Sequence, residues 1–151
     1  MVNSRREVRE KAMQVLFAYE LSREDIEILL ESIAGIELND DEEQYRFAKA
    51  LVYAVLKHRS EADELIREKS LHWDFDRIAV VDRVLLRMGI TELLYFPEIP
   101  VKVTINECVE IAKRFSTEQS GRFVNGMLDS IYVKLRDQDR IRKHGRGLIE
   151  S

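Results

Sequence analysis

Three arginines lie close together near the start of the chain, at positions Arg5, Arg6 and Arg9. A guanidinium group can bind a phosphate through two parallel hydrogen bonds and can stack on a nucleobase, so this cluster could bind an anionic polymer. A helix that begins here would add backbone donors and positive potential toward anions. The alternative is a solvated helix face on which the arginines pair with Glu7 and Glu10, and the residue pattern alone favours that alternative.

The other reactive side chains form no recognisable catalytic or metal-binding motif. His58, His72 and His144 lie far apart in the sequence, and none has a second histidine or a cysteine at a ligand-like offset. Cys108 falls within the apolar stripe of a predicted helix, where a packed side chain is favoured over a nucleophile. No glycine-rich phosphate loop is present. The sequence therefore predicts a non-enzymatic protein that holds no metal and no cofactor.

The composition suits a single compact domain, because 45% of the 151 residues are hydrophobic and 34% are charged. The net charge of −4 argues against general attraction to nucleic acid. However, residues 24–43 hold nine acidic and no basic residues, and the rest of the chain has 24 basic and 19 acidic residues. A local basic surface therefore remains open. No signal peptide or apolar run of about 18 to 20 residues is present, so we expect a cytoplasmic protein away from the membrane.

Apolar residues recur at helical spacing along most of the chain, and no alternating pattern is long enough for a sheet. The spacing predicts an all-α fold of six or seven helices, the central one mostly buried. Polar residues with capping potential precede several of these stripes. The predicted helix starts are Ser4, Ser22 with Asp25, Ser60 with Asp63, Asp74 or Asp76, and Thr104.

Two helical bundles account for this order of elements. Residues 1–70 are predicted to form an amino-terminal bundle with the arginine-rich first helix, and residues 71–136 a carboxy-terminal bundle. We expect the two bundles to form one compact domain. Residues 137–151 are basic and lack an apolar stripe, which predicts a flexible tail.

Several stretches resemble the NusB family in their order and spacing. The most specific are PVKVTINE at residues 100–107, EIAK at 110–113 and FVNGMLD at 123–129. Residues 81–93 and 5–22 also match, so the resemblance spans residues 5–135. It implies an all-α fold of two packed three-helix-type bundles and a role in transcription antitermination without catalysis. It also implies binding of the boxA element of RNA, pairing with the ribosomal protein NusE, and assembly with RNA polymerase.

The resemblance places the first helix, with Arg5, Arg6 and Arg9, against RNA. It also implies that Phe17 stacks on a base, which is how single-stranded RNA is commonly held. Packing of Phe17 in the core is the open alternative. The arginine cluster is small for the family, so we expect weak RNA affinity in the absence of the partner.

A second RNA surface is implied at the start of the last helix, where backbone amides can bind a phosphate. Gly121 could instead be a close-packing position, and Phe123 the first core residue of its stripe. We interpret Asn125 and Gly126 as structural, with the glycine allowing close helix packing. The residues of this second surface are Gln119, Ser120, Gly121, Arg122 and Phe123.

The partner surface implied by the resemblance comprises Asp76 and Asp82, with Arg77 and Arg83 beside them. Acidic groups there would complement a basic ribosomal protein. The alternatives are that Asp76 is only an N-cap and that Asp82 is only a surface charge. The family resemblance also allows a homodimer. A helical protein-interaction module without RNA function is the main rival interpretation.

Overall fold

The chain is helical throughout the residues that the structure describes. The structure is a computed structural model, and it describes residues 4–70 and 74–149. Seven α-helices and no β-strand occur within those ranges, which confirms the predicted all-α class. A π-helical segment at 30–35 and two 3-10 turns at 75–77 and 145–148 complete the described elements. The helices are α1 (Arg5–Ser22), α2 (Ile26–Leu29), α3 (Glu42–Lys57), α4 (Arg59–Lys69), α5 (Val80–Tyr95), α6 (Val101–Phe115) and α7 (Glu118–Asp137).

The first compact unit ends at Lys57 and is organised around α1. The predicted capping box is present, because the Ser4 hydroxyl accepts from the amide of Glu7 at 3.1 Å and the Glu7 carboxylate accepts from the Ser4 amide at 3.0 Å. One face of α1 contacts α3 and the π-helical segment. The apolar spacing of this helix predicts a buried stripe of Val8, Ala12, Val15, Leu16 and Tyr19. The first four are each at most 4% exposed, whereas Tyr19 is half-buried.

The second compact unit begins at His58 and is organised around α5. Every residue from Val84 to Leu93 is buried, because α5 contacts α4, α6 and α7. Gly89 lets α5 approach α7 closely: an added Cβ would lie 2.9 Å from both methyl groups of Leu128 and 3.4 Å from the sulfur of Cys108. Cys108 is fully buried, as the packed interpretation of its stripe requires.

Helix α4 belongs to the second unit, although the first bundle was predicted to extend to residue 70. The reason is that α4 contacts α5 and α7 and buries Leu65 and Ile66. Asp63, proposed as a capping residue, instead lies inside this unit and bonds to Arg87 of α5 at 2.7 Å. The division between the two units therefore falls between Lys57 and His58.

Helix α6 begins earlier than its capping pattern predicts. The helix starts at Val101, after Pro100, and not at the predicted Thr104. Thr104 is fully buried, and its hydroxyl donates to the Glu92 carboxylate of α5 at 2.7 Å. A buried carboxylate gains more from this donor than a solvated helix end would, so the tertiary hydrogen bond replaces the local cap.

The tail packs against the second unit, although the sequence predicts that it is flexible. The ammonium group of Lys143 donates to two carbonyl oxygens at the end of α5, at 2.9 and 3.1 Å, and thereby caps that helix. Burial lowers the pKa of Lys143 to about 8. The amide of His144 donates to the carbonyl of Pro97 at 3.1 Å. Residues 137–149 are therefore attached at several points.

Replacing Gly147 with alanine is expected to release the end of this tail. Gly147 is buried, and an added Cβ would overlap the backbone carbonyl oxygen of Pro97, which cannot rotate away. We expect trypsin to cleave after Arg146 at least about tenfold faster in Gly147→Ala than in the parent. Mass spectrometry of the digest over time measures the cleavage rate. Gly126→Ala, at an open helix position, is the control. Equal cleavage rates in both variants and the parent would contradict the observed docking.

Candidate nucleic-acid interface

The arginine cluster lies in the first two turns of α1, against α3. The Nε of Arg5 donates to the side-chain oxygen of Gln44 at 2.8 Å, and its guanidinium carbon lies 4.0 Å from the ring centroid of Phe47. Arg9 approaches the same ring at 5.5 Å. These cation–π contacts orient the two guanidinium groups. Phe47 was missed by sequence reasoning, because its contact with the arginines joins two helices that are distant in sequence.

Burial distinguishes the three arginines. Arg9 is 2% exposed and Glu10 is 6% exposed, although a solvated helix face would place both in water. Phe47 of α3 lies against this turn of α1 and helps to remove Arg9 from solvent. Arg5 is half-buried and Arg6 is exposed. The solvated-face alternative therefore fits Arg6 and not Arg9.

Phe17 is half-buried in the middle of α1. Its neighbour Leu16 is only 4% exposed and belongs to the core stripe. Part of the Phe17 ring remains accessible and could take a base, while the rest contributes to packing. Partial burial is compatible with both interpretations of this residue, and stacking on RNA stays a prediction.

The start of α7 presents three of the five residues predicted there. Thr117 caps the helix, because its hydroxyl oxygen accepts from the amide of Ser120 at 3.0 Å. Gln119 and Arg122 are exposed, and Phe123 is half-buried. An amide, a guanidinium group and an aromatic ring thus lie at the amino end of a 20-residue helix, where backbone donors and the helix dipole favour anions.

The other two residues of this surface, Ser120 and Gly121, are buried. An added Cβ at Gly121 would lie 2.6 Å from the Cγ of Lys113 on α6, which supports the close-packing alternative. The Ser120 hydroxyl donates to Asp82 of α5 at 3.2 Å and lies 2.8 Å from the hydroxyl of Ser116. These two residues shape the start of α7, and the exposed side chains beside them face solvent.

The four residues predicted to bind a protein partner divide into two pairs. Asp76 and Arg77 are exposed in a 3-10 turn, which Asp74 caps by accepting from the Asp76 amide at 3.2 Å. Asp82 is 6% exposed, and Arg83 is half-buried, 5.4 Å from the aromatic ring of the same turn. The alternative roles are wrong for this structure, since Asp76 caps no helix and Asp82 is no surface charge.

The carboxylate of Asp82 links α5 to α7 through Ser120. Its second oxygen, Oδ1, accepts no hydrogen bond from any residue that the structure describes. Burial raises the pKa of Asp82, and the hydrogen bond from Ser120 partly opposes this effect. The sequence could not indicate the link, because 38 residues separate the two side chains.

Replacing Asp82 with asparagine is expected to leave the melting temperature at pH 7 unchanged or to raise it. A carboxyl with a raised pKa in the folded state contributes stability below its unfolded pKa of about 3.9, and that contribution is lost as pH rises through the folded pKa. The neutral amide keeps an oxygen acceptor for Ser120 and avoids that loss. The difference from the parent should shrink as pH falls toward 4, measured by calorimetry. A lower melting temperature at pH 7 would show that the buried carboxylate has a favourable partner.

The histidine, cysteine and acidic side chains of the described residues form no metal site. Between residues 4 and 149, with 71–73 set aside, no group of three or more His, Cys, Asp or Glu side chains is arranged to hold a metal ion. His58 stacks on Tyr95 with 3.7 Å between ring centroids, whereas His72 lies outside the described residues. None of the described helices is both long and apolar enough to cross a membrane.

The protein is all-helical, and an exposed arginine and a half-buried phenylalanine occur both on α1 and at the start of α7. Proteins that bind nucleic acid commonly use these two residue types for phosphates and bases. A sequence model of the NusB family matches residues 6–133, and the chain therefore belongs to the NusB family. The transcription antitermination protein NusB of Salinibacter ruber is 47% identical over 148 residues, which cover 98% of this chain and 92% of that protein.

Two solved structures have the same fold. The structure of T. maritima NusB is 39% identical with a TM-score of 0.81, covering 89% of this chain and 94% of that one. The NusB chain from a complex of antitermination factors NusB and NusE with double-stranded RNA is 29% identical with a TM-score of 0.79. It covers 89% of this chain and 99% of that one.

Proposed function

We propose that this protein is a transcription antitermination factor that binds boxA-type single-stranded RNA as a heterodimer with the ribosomal protein NusE. The observation that carries the proposal is the likeness, over 99% of the other chain, to a NusB that was solved with NusE and RNA. That RNA is double-stranded; the preference for a single strand rests on the half-buried rings of Phe17 and Phe123, which can stack only on unpaired bases.

The RNA contacts divide into phosphate binding and base stacking. Arg6 and Arg122 are exposed and supply guanidinium groups for phosphates. Arg5 and Arg9 add positive charge near Arg6 on the same helix. Gln119 offers an amide beside Arg122. We assign no direct RNA contact to Ser120 and Gly121, since both are buried and position the exposed residues of that turn.

The partner surface is centred on the exposed 3-10 turn with Asp76 and Arg77. Arg83 supports this turn from within the unit, with its guanidinium carbon 5.4 Å from the Phe75 ring, whereas Asp82 joins α5 to α7 through Ser120. A protein that binds RNA and NusE at once raises the effective concentration of NusE near the RNA and so near RNA polymerase. No catalytic step is needed for this role, which we place in the cytoplasm.

The test is a fluorescence-anisotropy titration of a boxA RNA and a scrambled RNA, with and without purified NusE, at two salt concentrations. The variants are Arg6→Ala and Phe123→Leu, which keeps an apolar side chain but removes the aromatic ring. Lys57→Ala is the control, because Lys57 is exposed at the end of α3 that lies away from Gln44 and Phe47.

We expect boxA RNA to bind more tightly than the scrambled RNA and NusE to increase that affinity. Phe123→Leu should lose about fivefold or more if a base stacks there, since stacking is worth ~1 to 3 kcal/mol. Arg6→Ala should reduce the salt dependence by about one phosphate contact. Equal binding of the two RNAs, or none even with NusE, would rule out the antitermination role.

A protein-interaction role without RNA is the second candidate, and one observation favours it. Ile28 and Ile36 are more than 60% exposed on the acidic segment of the first unit. Apolar side chains that are this exposed next to acidic residues fit a protein-binding surface. Partner binding that persists at high salt, together with no RNA binding at low salt, would favour this candidate.

A further inference from the structure

A groove of about 760 Å³ lies beside α7 in the second unit. The first turns of α6, one side of α7 and the docked tail form its walls. The part of the wall that the tail forms includes Leu148 and Ile149, which are 65% and 57% exposed. The volume falls within the range of about 300 to 1,000 Å³ that is usual for ligand sites.

The α7 wall continues the helix face that carries Arg122. Asn125, Asp129, Tyr132 and Arg136 line the groove at offsets of four, seven and eleven residues, which places them on one face of α7. From Arg122 to Arg136 the helix rises about 21 Å. An RNA strand that leaves the start of α7 therefore meets a further set of side chains along the same helix.

The polar lining has the chemistry that reads unpaired nucleotides. Asn106 and Asn125 each offer a donor and an acceptor, the pairing that recognises a base edge. Tyr132 is half-buried and supplies a ring for stacking, with the guanidinium carbon of Arg136 lying 5.7 Å from its centroid. Lys102 adds a second cation to the lining.

The other charged residues of the lining limit how the groove can bind phosphates. Lys143 lines the groove but is engaged with the carbonyls at the end of α5, and Asp139 bonds to Arg142 at 3.0 Å. Asp129 would repel a phosphate but can accept a hydrogen bond from the amino group of a base. The groove therefore favours bases over a continuous phosphate track.

Gly126 provides an independent observation. It is exposed in the middle of α7, and an added Cβ would meet nothing within 4 Å. The interpretation that this glycine allows close helix packing is therefore wrong for the described chain. Glycine destabilises a helix interior, so a bare position with no packing role is suited to the close approach of a ligand backbone.

We propose that this groove, together with the open helix position at Gly126 next to Asn125, binds nucleotides that flank the recognised element on the same RNA strand. The inference rests on the proposed RNA-binding function. An RNA strand is favoured over a peptide because the lining combines two amide side chains with a ring, and because the groove continues from Arg122 along one face of α7.

The experiment compares three RNAs in anisotropy titrations of the full chain with NusE: the core element, the core with a 5′ extension, and the core with a 3′ extension. The variants are Gly126→Gln and Asn125→Ala, with Asn39→Ala in an exposed turn as the matched control. Gly126→Gln should raise the melting temperature, because glutamine is a better helix former and the position is open. A loss of binding in this variant therefore cannot arise from misfolding.

We expect one extension to tighten binding by about fivefold or more, which is the gain from one stacked base. Both variants should remove that gain and leave the affinity for the core RNA unchanged, and Asn39→Ala should retain it. Equal affinity for all three RNAs would overturn the inference while leaving the proposed function in place. Failure to bind even the core would overturn both. Weaker binding of NusE to Gly126→Gln in the absence of RNA would assign the groove to a protein and also overturn the inference.

Discussion

Replacing Arg87 with methionine is expected to lower the free energy of unfolding by about 3 to 5 kcal/mol. Arg87 is 4% exposed and Asp63 is 8% exposed, and two hydrogen bonds of 2.7 and 3.1 Å join their side chains. Methionine would fill much of the same space but leave the Asp63 carboxylate buried without its counter-ion. Urea unfolding followed by circular dichroism measures the change.

The double variant Arg87→Met and Asp63→Leu separates the ion pair from packing. Replacing a buried pair by apolar residues of similar volume is often neutral or stabilising, so the double variant should recover most of the loss. If the double variant is as unstable as Arg87→Met alone, the cost does not come from an uncompensated charge.

Replacing Gly89 with leucine is expected to destabilise the protein by about 1 to 3 kcal/mol or more, because it overfills a closed interface. The added Cβ alone would lie 2.9 Å from the methyl groups of Leu128, which is fully buried. The better helix propensity of leucine, worth roughly 1 kcal/mol over glycine, offsets only part of this cost. Thermal unfolding of the variant and the parent gives the difference.

Gly126→Leu is the matched control, since it makes the same change in the middle of another helix. The open space around Gly126 predicts a stabilisation of about 0.5 to 1 kcal/mol, opposite in sign to the change at Gly89. Two changes of the same sign would show that helix propensity, and not the packing of α5 on α7, decides the effect.

Helix positions were predictable where neighbours along the chain decide them. The capping box at Ser4 and the stripe of Val8, Ala12 and Val15 depend only on residues within a few turns, and both are present as predicted. Helix starts were wrong where a distant partner competes. Thr104 and Asp63 are residue types that often cap helices. Inside the second unit, however, the Thr104 side chain bonds to Glu92 and the Asp63 side chain bonds to Arg87.

The candidate site was also predictable only in part. The family resemblance indicated which residues to consider, but exposure depends on packing against helices far along the chain. Arg9 is buried beside Phe47, and Asp82 is buried beside Ser120, so neither is the surface charge that its residue type indicates. The groove beside α7 could not be predicted either, because the expected flexible tail forms part of its wall.

The sequence by itself determined the all-α class, the apolar face of each long helix and the family, because these depend on local periodicity and on short motifs. The tertiary structure decided which unit α4 joins, where α6 begins, and which charged side chains reach solvent. It also decided that Gly89 is enclosed while Gly126 is open, although both are glycines in helix interiors. The physical reason is that burial and buried hydrogen bonds depend on residues distant in sequence, and their free energies exceed local preferences of about 1 kcal/mol or less.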